Sequence, residues 1–177
     1  MKKVLYFAAL LLCMGLTSCE KEDIGGTATE SMAGEWYVTV DAADANGNVV
    51  EGLEDPFGLG KIHVLTYNAS DNNPNVLIVD DLQNFWAFKV KTNCDQNTLS
   101  FATSTSENNN LVDGYDDINV TITGGKIIKN GGVQNNGSKA DYIEFYVSFS
   151  DDPYPGAYGY ANYKVSGVRY SGLTEND

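Results

Sequence analysis

The chain has 177 residues, with 11 basic against 24 acidic side chains and a formal charge of −13 at pH 7. That balance disfavours nucleic acid, whose binding needs cationic side chains to neutralise phosphates. Three cysteines and a single histidine are too few for a zinc site built from nitrogen and sulfur, so soft-metal chemistry is excluded and neither a metal nor a cofactor is expected.

At the amino terminus Lys2 and Lys3 precede an apolar run over 4–12, and Leu16-Thr17-Ser18-Cys19 follows. This is the layout of a signal peptide. The run is too short to stay in a bilayer, which takes about 20 apolar residues to cross. The Leu-x-Ser-Cys ending resembles a bacterial lipobox, in which the cysteine becomes the first mature residue and carries acyl chains. An ordinary secretory peptide would end on small residues with no cysteine there. The resemblance implies that 1–18 is removed, that Cys19 is lipidated, and that the mature protein is membrane-bound without a transmembrane helix. Glu20-Lys21-Glu22-Asp23 resembles the lysine-acidic export signal of Bacteroidetes surface lipoproteins, which implies an outer-membrane location facing the cell exterior. Residues 19–33 read as the acylated cysteine and a flexible tether. Cleavage leaves 9 basic and 24 acidic residues, a formal charge of −15. Cys13 leaves with the signal and Cys19 is acylated, so Cys94 has no disulfide partner within the chain.

Residues 34–173 read as one all-β domain, followed by a short tail over 174–177. Short runs rich in Val, Ile, Tyr, Phe and Thr alternate with Gly, Asn, Asp and Pro clusters. Trp36, Val38 and Val40 alternate with Tyr37, Thr39 and Asp41, and Asn46-Gly47 predicts a type I′ hairpin turn after them. Strands follow near 61–67 and 75–80. A further strand is predicted over 85–90, with Trp86, Phe88 and Val90 on one face. Others are predicted near 97–102, over 118–123 and over 126–130, with Gly124-Gly125 and Asn130-Gly131-Gly132 as breakers. The clearest strand is 142–150, where Ile143, Phe145, Val147 and Phe149 point one way. The last covers 160–170. About eight or nine strands joined by tight turns suggest an antiparallel up-and-down barrel, which removes exposed edges. A two-sheet sandwich is the alternative.

Gly34-Glu35-Trp36 resembles the Gly-x-Trp of lipocalins and related calycins, folds that stack an arginine across that tryptophan. Counting back by twos from Arg169 gives Gly167, Val165, Tyr163 and Ala161, so Arg169 points inward and Trp36 can supply a cation–π partner. From 34 to 172 the chain also resembles Bacteroidetes lipoproteins catalogued as lipid-binding putative hydrolases, with lipocalin-like domains. The likeness is carried by Gly-Glu-Trp-Tyr-Val-Thr-Val at 34–40, Asp-Pro-Phe-Gly-Leu-Gly at 55–60 and Leu-Thr-Tyr-Asn at 65–68. It continues in Asp-Asp-Leu-x-Asn-Phe-Trp-x-Phe-Lys-Val at 80–90 and Gly-x-Arg-Tyr-x-Gly at 167–172. This resemblance implies a single calycin-type barrel and a lipid ligand.

The residues themselves show no hydrolase. There is no Gly-x-Ser-x-Gly elbow, and His63 sits in a strand with apolar neighbours. Asp80-Asp81, Asp116-Asp117 and Asp151-Asp152 are sequence neighbours, which in a strand point to opposite faces. Asp44 to Asn48 has its glycine in the wrong place for a calcium loop. What remains is binding. Tyr67, Trp86 and Phe88 read as core or cavity lining and are candidates for ligand binding together with Tyr163, and Tyr154 and Tyr158 lie in a Pro- and Gly-rich stretch with Tyr160 at a barrel mouth. Three functions stay open: a lipoprotein holding a lipid or other hydrophobic small molecule in its barrel, a non-catalytic accessory to an outer-membrane protein or glycan, and a hydrolase.

Overall fold

The computed structural model describes residues 26–104 and 110–176. Eight strands follow one another: β1 (Gly34–Ala43), β2 (Ile62–Asn68), β3 (Val76–Asp80), β4 (Lys89–Asp95), β5 (Ser100–Ala102), β6 (Val120–Val133), β7 (Lys139–Phe149) and β8 (Asn162–Arg169). Each pairs antiparallel with the next, and β8 pairs with β1 from Trp36↔Arg169 to Ala43↔Asn162, closing the barrel. The up-and-down course puts the long connections 44–61, 81–88, 110–119 and 150–161 at one end, the mouth. The short turns 69–75, 96–99 and 134–138 lie at the other end, the floor, with both ends of the described chain.

Alternation fills the interior. Trp36, Val38 and Val40 of β1, Leu77 and Val79 of β3, Ile143, Phe145 and Val147 of β7, and Tyr163 and Val165 of β8 are all buried to within 1%. Each such side chain contributes about 1.5–3 kcal/mol by leaving water. A barrel of eight strands is just wide enough for side chains to meet across it, and here they do.

Met32 and Trp36, both fully buried, seal the floor. The Trp36 indole N–H donates to Thr66 Oγ1 at 2.8 Å, and the Thr66 hydroxyl donates to the Met32 carbonyl at 2.7 Å. The Arg169 guanidinium lies 4.5 Å from the Trp36 ring centroid, and its Nη1 donates to the Ala33 carbonyl at 2.9 Å. Its Nε is 3.3 Å from Asp141 Oδ2. Partial burial works against the charge on Asp141, but hydrogen bonds from Lys129 and the Asn130 N–H, with the charges of Lys129 and Arg169, hold its carboxyl below the ordinary range.

Several sequence expectations are corrected. Residues 85–90 are not a strand: 81–88 is a loop with positive φ at Leu82, Gln83 and Ala87, and β4 starts only at Lys89. The regions 118–123 and 126–130 are not separate strands. Gly124-Gly125 and Asn130–Gly132 make register shifts inside one long β6 instead of turns, because β7 runs alongside without a break. A Cβ on Gly125 would collide with the Phe101 carbonyl, so the glycine is set by a neighbouring strand. The turn after β1 is not type I′. Gly47 N–H donates to Asp44 O at 3.0 Å with positive φ at Gly47 alone, a type I turn closed by a left-handed glycine and held by Asp44 accepting the Asn46 and Asn48 N–H groups. Ala161 is exposed just outside β8, and the stretch over 154–158 forms one helical turn, α1 (Tyr154–Tyr158).

Candidate functional site: an aromatic mouth

Three mouth segments deliver aromatic rings to one place. In the loop after β1, Asp55 accepts the Leu59 and Gly60 N–H groups at 2.8 Å each, and its own N–H is held by Asp41 of β1 at 3.0 Å. This knot fixes Pro56 and Phe57 over the barrel end. In the 81–88 loop, the fully buried Asp81 carboxylate accepts four backbone N–H groups, from Gln83, Phe85, Trp86 and Phe88, at 2.9–3.0 Å. Burial pushes the Asp81 carboxyl up, and these four donors oppose the push. They turn Phe85 and Trp86 toward the mouth and drop Phe88 into the core. The third segment, 150–161, carries α1.

Phe57 is the hub, with ring centroids 5.6 Å from Phe85, 5.9 Å from Trp86, 5.6 Å from Tyr154 and 5.7 Å from Tyr163. Trp86 stacks on Phe149 at 5.0 Å and 11°. Offset and edge contacts of this kind add about 0.5–1.5 kcal/mol per pair beyond burial. Below the rings runs a hydroxyl chain. Tyr163 donates to Asp152 Oδ2 at 2.7 Å, which uses its single proton, so the Tyr160 hydroxyl, 2.6 Å away, donates to the Tyr163 oxygen. Burial first, then the hydrogen bonds to Tyr160 and Asp152, keep the Tyr163 hydroxyl protonated far above the ordinary phenol range. Asp152 also accepts the Tyr154 N–H at 2.9 Å, so one carboxylate ties α1 to the core.

Between these segments lies a cleft of about 350 Å³ lined by Leu53, Pro56, Phe57, Tyr154, Tyr158 and Tyr160. Across the aromatic ridge a second hollow of about 290 Å³ is bordered by Gln83, Phe85, Trp86, Tyr115 and Asp151, where the Trp86 indole N–H donates to Asp151 Oδ1 at 3.1 Å.

Of the residues singled out in the sequence, Tyr154 and Tyr158 line the cleft, Trp86 stands beside it, and Tyr163 supports it from beneath. Phe88 is core. Tyr67 is a correction: Thr66 points inward to Trp36, so the next residue must point outward. On the outer wall its hydroxyl donates to Asp80 at 2.9 Å, and burial with that bond raises it above the phenol range. Phe57, Leu53, Pro56 and Phe85 were missed, although Asp-Pro-Phe-Gly-Leu-Gly, with its ring between a proline and glycines, carried a signal.

His63 is also on the outer wall. Its Nδ1 is 2.8 Å from Glu35 Oε1, and its ring packs against Tyr37 at 5.1 Å and Tyr170 at 4.6 Å. Among the described residues no group of three or more His, Cys, Asp or Glu is placed to hold a metal, and no helix is long and apolar enough to cross a membrane.

The fold is thus a closed eight-stranded antiparallel barrel with a packed interior and an apolar cleft at its mouth. The chain belongs to the family described as lipid-binding putative hydrolase, whose model matches residues 21–174. No curated protein matches it.

Proposed function

We propose that the protein binds a lipid or other hydrophobic small molecule without converting it, and that it does so in the mouth cleft and not on the barrel axis. The observation that carries this reading is the exposure of three adjoining rings, Phe57 at 37%, Tyr154 at 40% and Tyr158 at 64%, on top of an ordered aromatic cluster. A folded chain leaves so much apolar surface together where something else is to cover it. Membership of a lipid-binding family supports the same class of ligand. The hydrolase reading lacks such support, because the sole imidazole packs on the outer wall against Glu35, Tyr37 and Tyr170. The second hollow, where Trp86 and Tyr115 meet Gln83 and Asp151, favours a glycan as the second reading, since sugars are held by ring faces beside polar groups.

The same proposal includes the setting. Residues 1–18 act as a signal peptide and Cys19 carries the anchor at the outer membrane, with the domain facing the cell exterior. The sequence Leu16-Thr17-Ser18-Cys19 followed by Glu20-Lys21-Glu22-Asp23 supports this. The tether is shorter than the 19–33 read from the sequence, because Thr29 and Met32 are buried in the barrel floor and so belong to the domain.

The test uses the full chain made unlipidated by Cys19→Ala and the uncharged probe N-phenyl-1-naphthylamine. Saturable binding is expected, weakened about 3- to 10-fold by Tyr158→Ala, whose exposed ring contributes about 1 kcal/mol of contact. The melting temperature should hardly move, and His63→Ala should bind normally. Absence of saturable binding, or ester turnover lost with His63, would overturn the reading.

A further inference from the structure

We propose that the mouth cleft selects amphiphiles whose head group is positively charged. The inference rests on the cleft being the lipid site and adds the chemistry of the head group. Carboxylates crowd the mouth: four in 44–61, one in 81–88, three in 110–119 and two in 150–161, ten in all, against one lysine, Lys61. The described segments at the floor (26–33, 69–75, 96–99, 134–138 and 170–176) carry three. Only Asp81 among the ten is fully buried.

Among the described residues no ion pair involves any of these ten carboxylates; the Lys89 ammonium, at the mouth end of β4, is paired with Asp80 at 3.1 Å. The Lys61 ammonium sits 5.0 Å over the Tyr37 ring on the outer wall. The described ion pairs all involve carboxylates on the strands, at Glu35, Asp80, Asp141 and Glu144. The partners of Asp55 and Asp152 are backbone N–H groups and a phenol, which leave the negative charge in place. Glu54 and Asp55 lie in sequence between the cleft residues Leu53 and Pro56, and Asp152 precedes α1. A head group seated among Phe57, Tyr154 and Tyr158 is therefore within about one Debye length, roughly 8–10 Å, of several carboxylates. The ring faces themselves attract cations, best of all alkylated ammonium groups that shed water easily. An anionic head group meets repulsion from the same carboxylates and has no guanidinium or ammonium in the cleft to answer it.

The test measures three amphiphiles with the same dodecyl chain, below their micelle concentrations, on the unlipidated Cys19→Ala protein: dodecyltrimethylammonium, dodecyl maltoside and dodecanoate. The expected order at low salt is ammonium, then maltoside, then dodecanoate, with about tenfold between the first two and a spread that contracts in 0.5 M NaCl. Tyr158→Ala should weaken all three, and the double variant Glu51→Gln, Glu54→Gln, which neutralises the exposed carboxylates flanking Leu53, should shrink the ammonium preference while sparing maltoside. Maltoside or dodecanoate binding as tightly as the ammonium overturns the inference and leaves the cleft standing. Ammonium binding undiminished by Tyr158→Ala also overturns it, since the cation would then be held elsewhere. Binding of none of the three overturns the cleft as the lipid site, and the inference with it.

Discussion

Gly34 has no side chain because the Arg169 guanidinium occupies the space that a Cβ would need. The Gly-x-Trp pattern is thus one packing unit, in which the glycine clears a path for the arginine and the tryptophan two residues on offers the face it crosses. Gly34→Ala keeps an allowed backbone and should cost about 0.5–2 kcal/mol by pushing the guanidinium off Trp36, which is the range of a partly desolvated cation–π contact. Arg169→Ala should cost as much or more, since the Ala33 carbonyl also loses its donor. The decisive measurement is the double-mutant cycle by urea unfolding. Once Arg169 is alanine, Gly34→Ala should be nearly neutral. Strictly additive losses would show that the glycine serves some other purpose.

The 81–88 loop is the element whose shape follows from one side chain. Asp81→Ala leaves four backbone N–H groups without their acceptor and should cost about 2–4 kcal/mol, with loss of the near-ultraviolet signal from the stacked Trp86 and Phe149. Asp81→Asn, which keeps one acceptor oxygen, should fall between. Unchanged stability and an unchanged aromatic signal would mean that the loop is held by its rings alone. This loop also marks where sequence reading stops. Period-two alternation placed β1, β7 and β8 because each buries one face, and that leaves its imprint on neighbouring residues, whereas β2 and β3 were placed as short β-rich runs between breakers, and β3 is in fact buried on both faces. In 85–90 the same alternation of Trp86, Phe88 and Val90 is present, yet an acceptor several residues earlier takes up the N–H groups that a strand would have shared. Gly124-Gly125 looked like a turn because whether such a pair bulges or reverses the chain depends on β7 and Phe101, which local sequence does not contain. For the site, Tyr154 and Tyr158 were legible as exposed aromatics in a proline-stiffened segment. Phe57 was not, because its role comes from the Asp41 and Asp55 contacts that bring a distant loop over the mouth.

At the scale of the whole molecule, the aromatic cleft and the start of the described chain lie at opposite ends of the barrel. The described chain begins at the floor, where Lys129 Nζ donates to the Ser31 carbonyl at 3.1 Å and Met32 closes the barrel, while the aromatic rings stand at the other pole. On the proposed anchoring through Cys19, seven residue steps reach Gly26, at most about 25 Å of chain. The floor is then held close to the lipid surface and the mouth is turned outward, to meet ligands from outside rather than from the membrane below. The acidic mouth agrees with this, since an anionic membrane surface repels it. In a Cys94→Ser background, a fluorophore on Ser171→Cys at the floor should be quenched strongly by spin-labelled lipid in vesicles carrying the lipidated protein. One on Tyr158→Cys at the mouth should be quenched weakly, and Cys19→Ala should abolish both signals by releasing the protein. Stronger quenching at 158 than at 171 would place the mouth against the bilayer and make the cleft a site for lipids drawn from its own membrane.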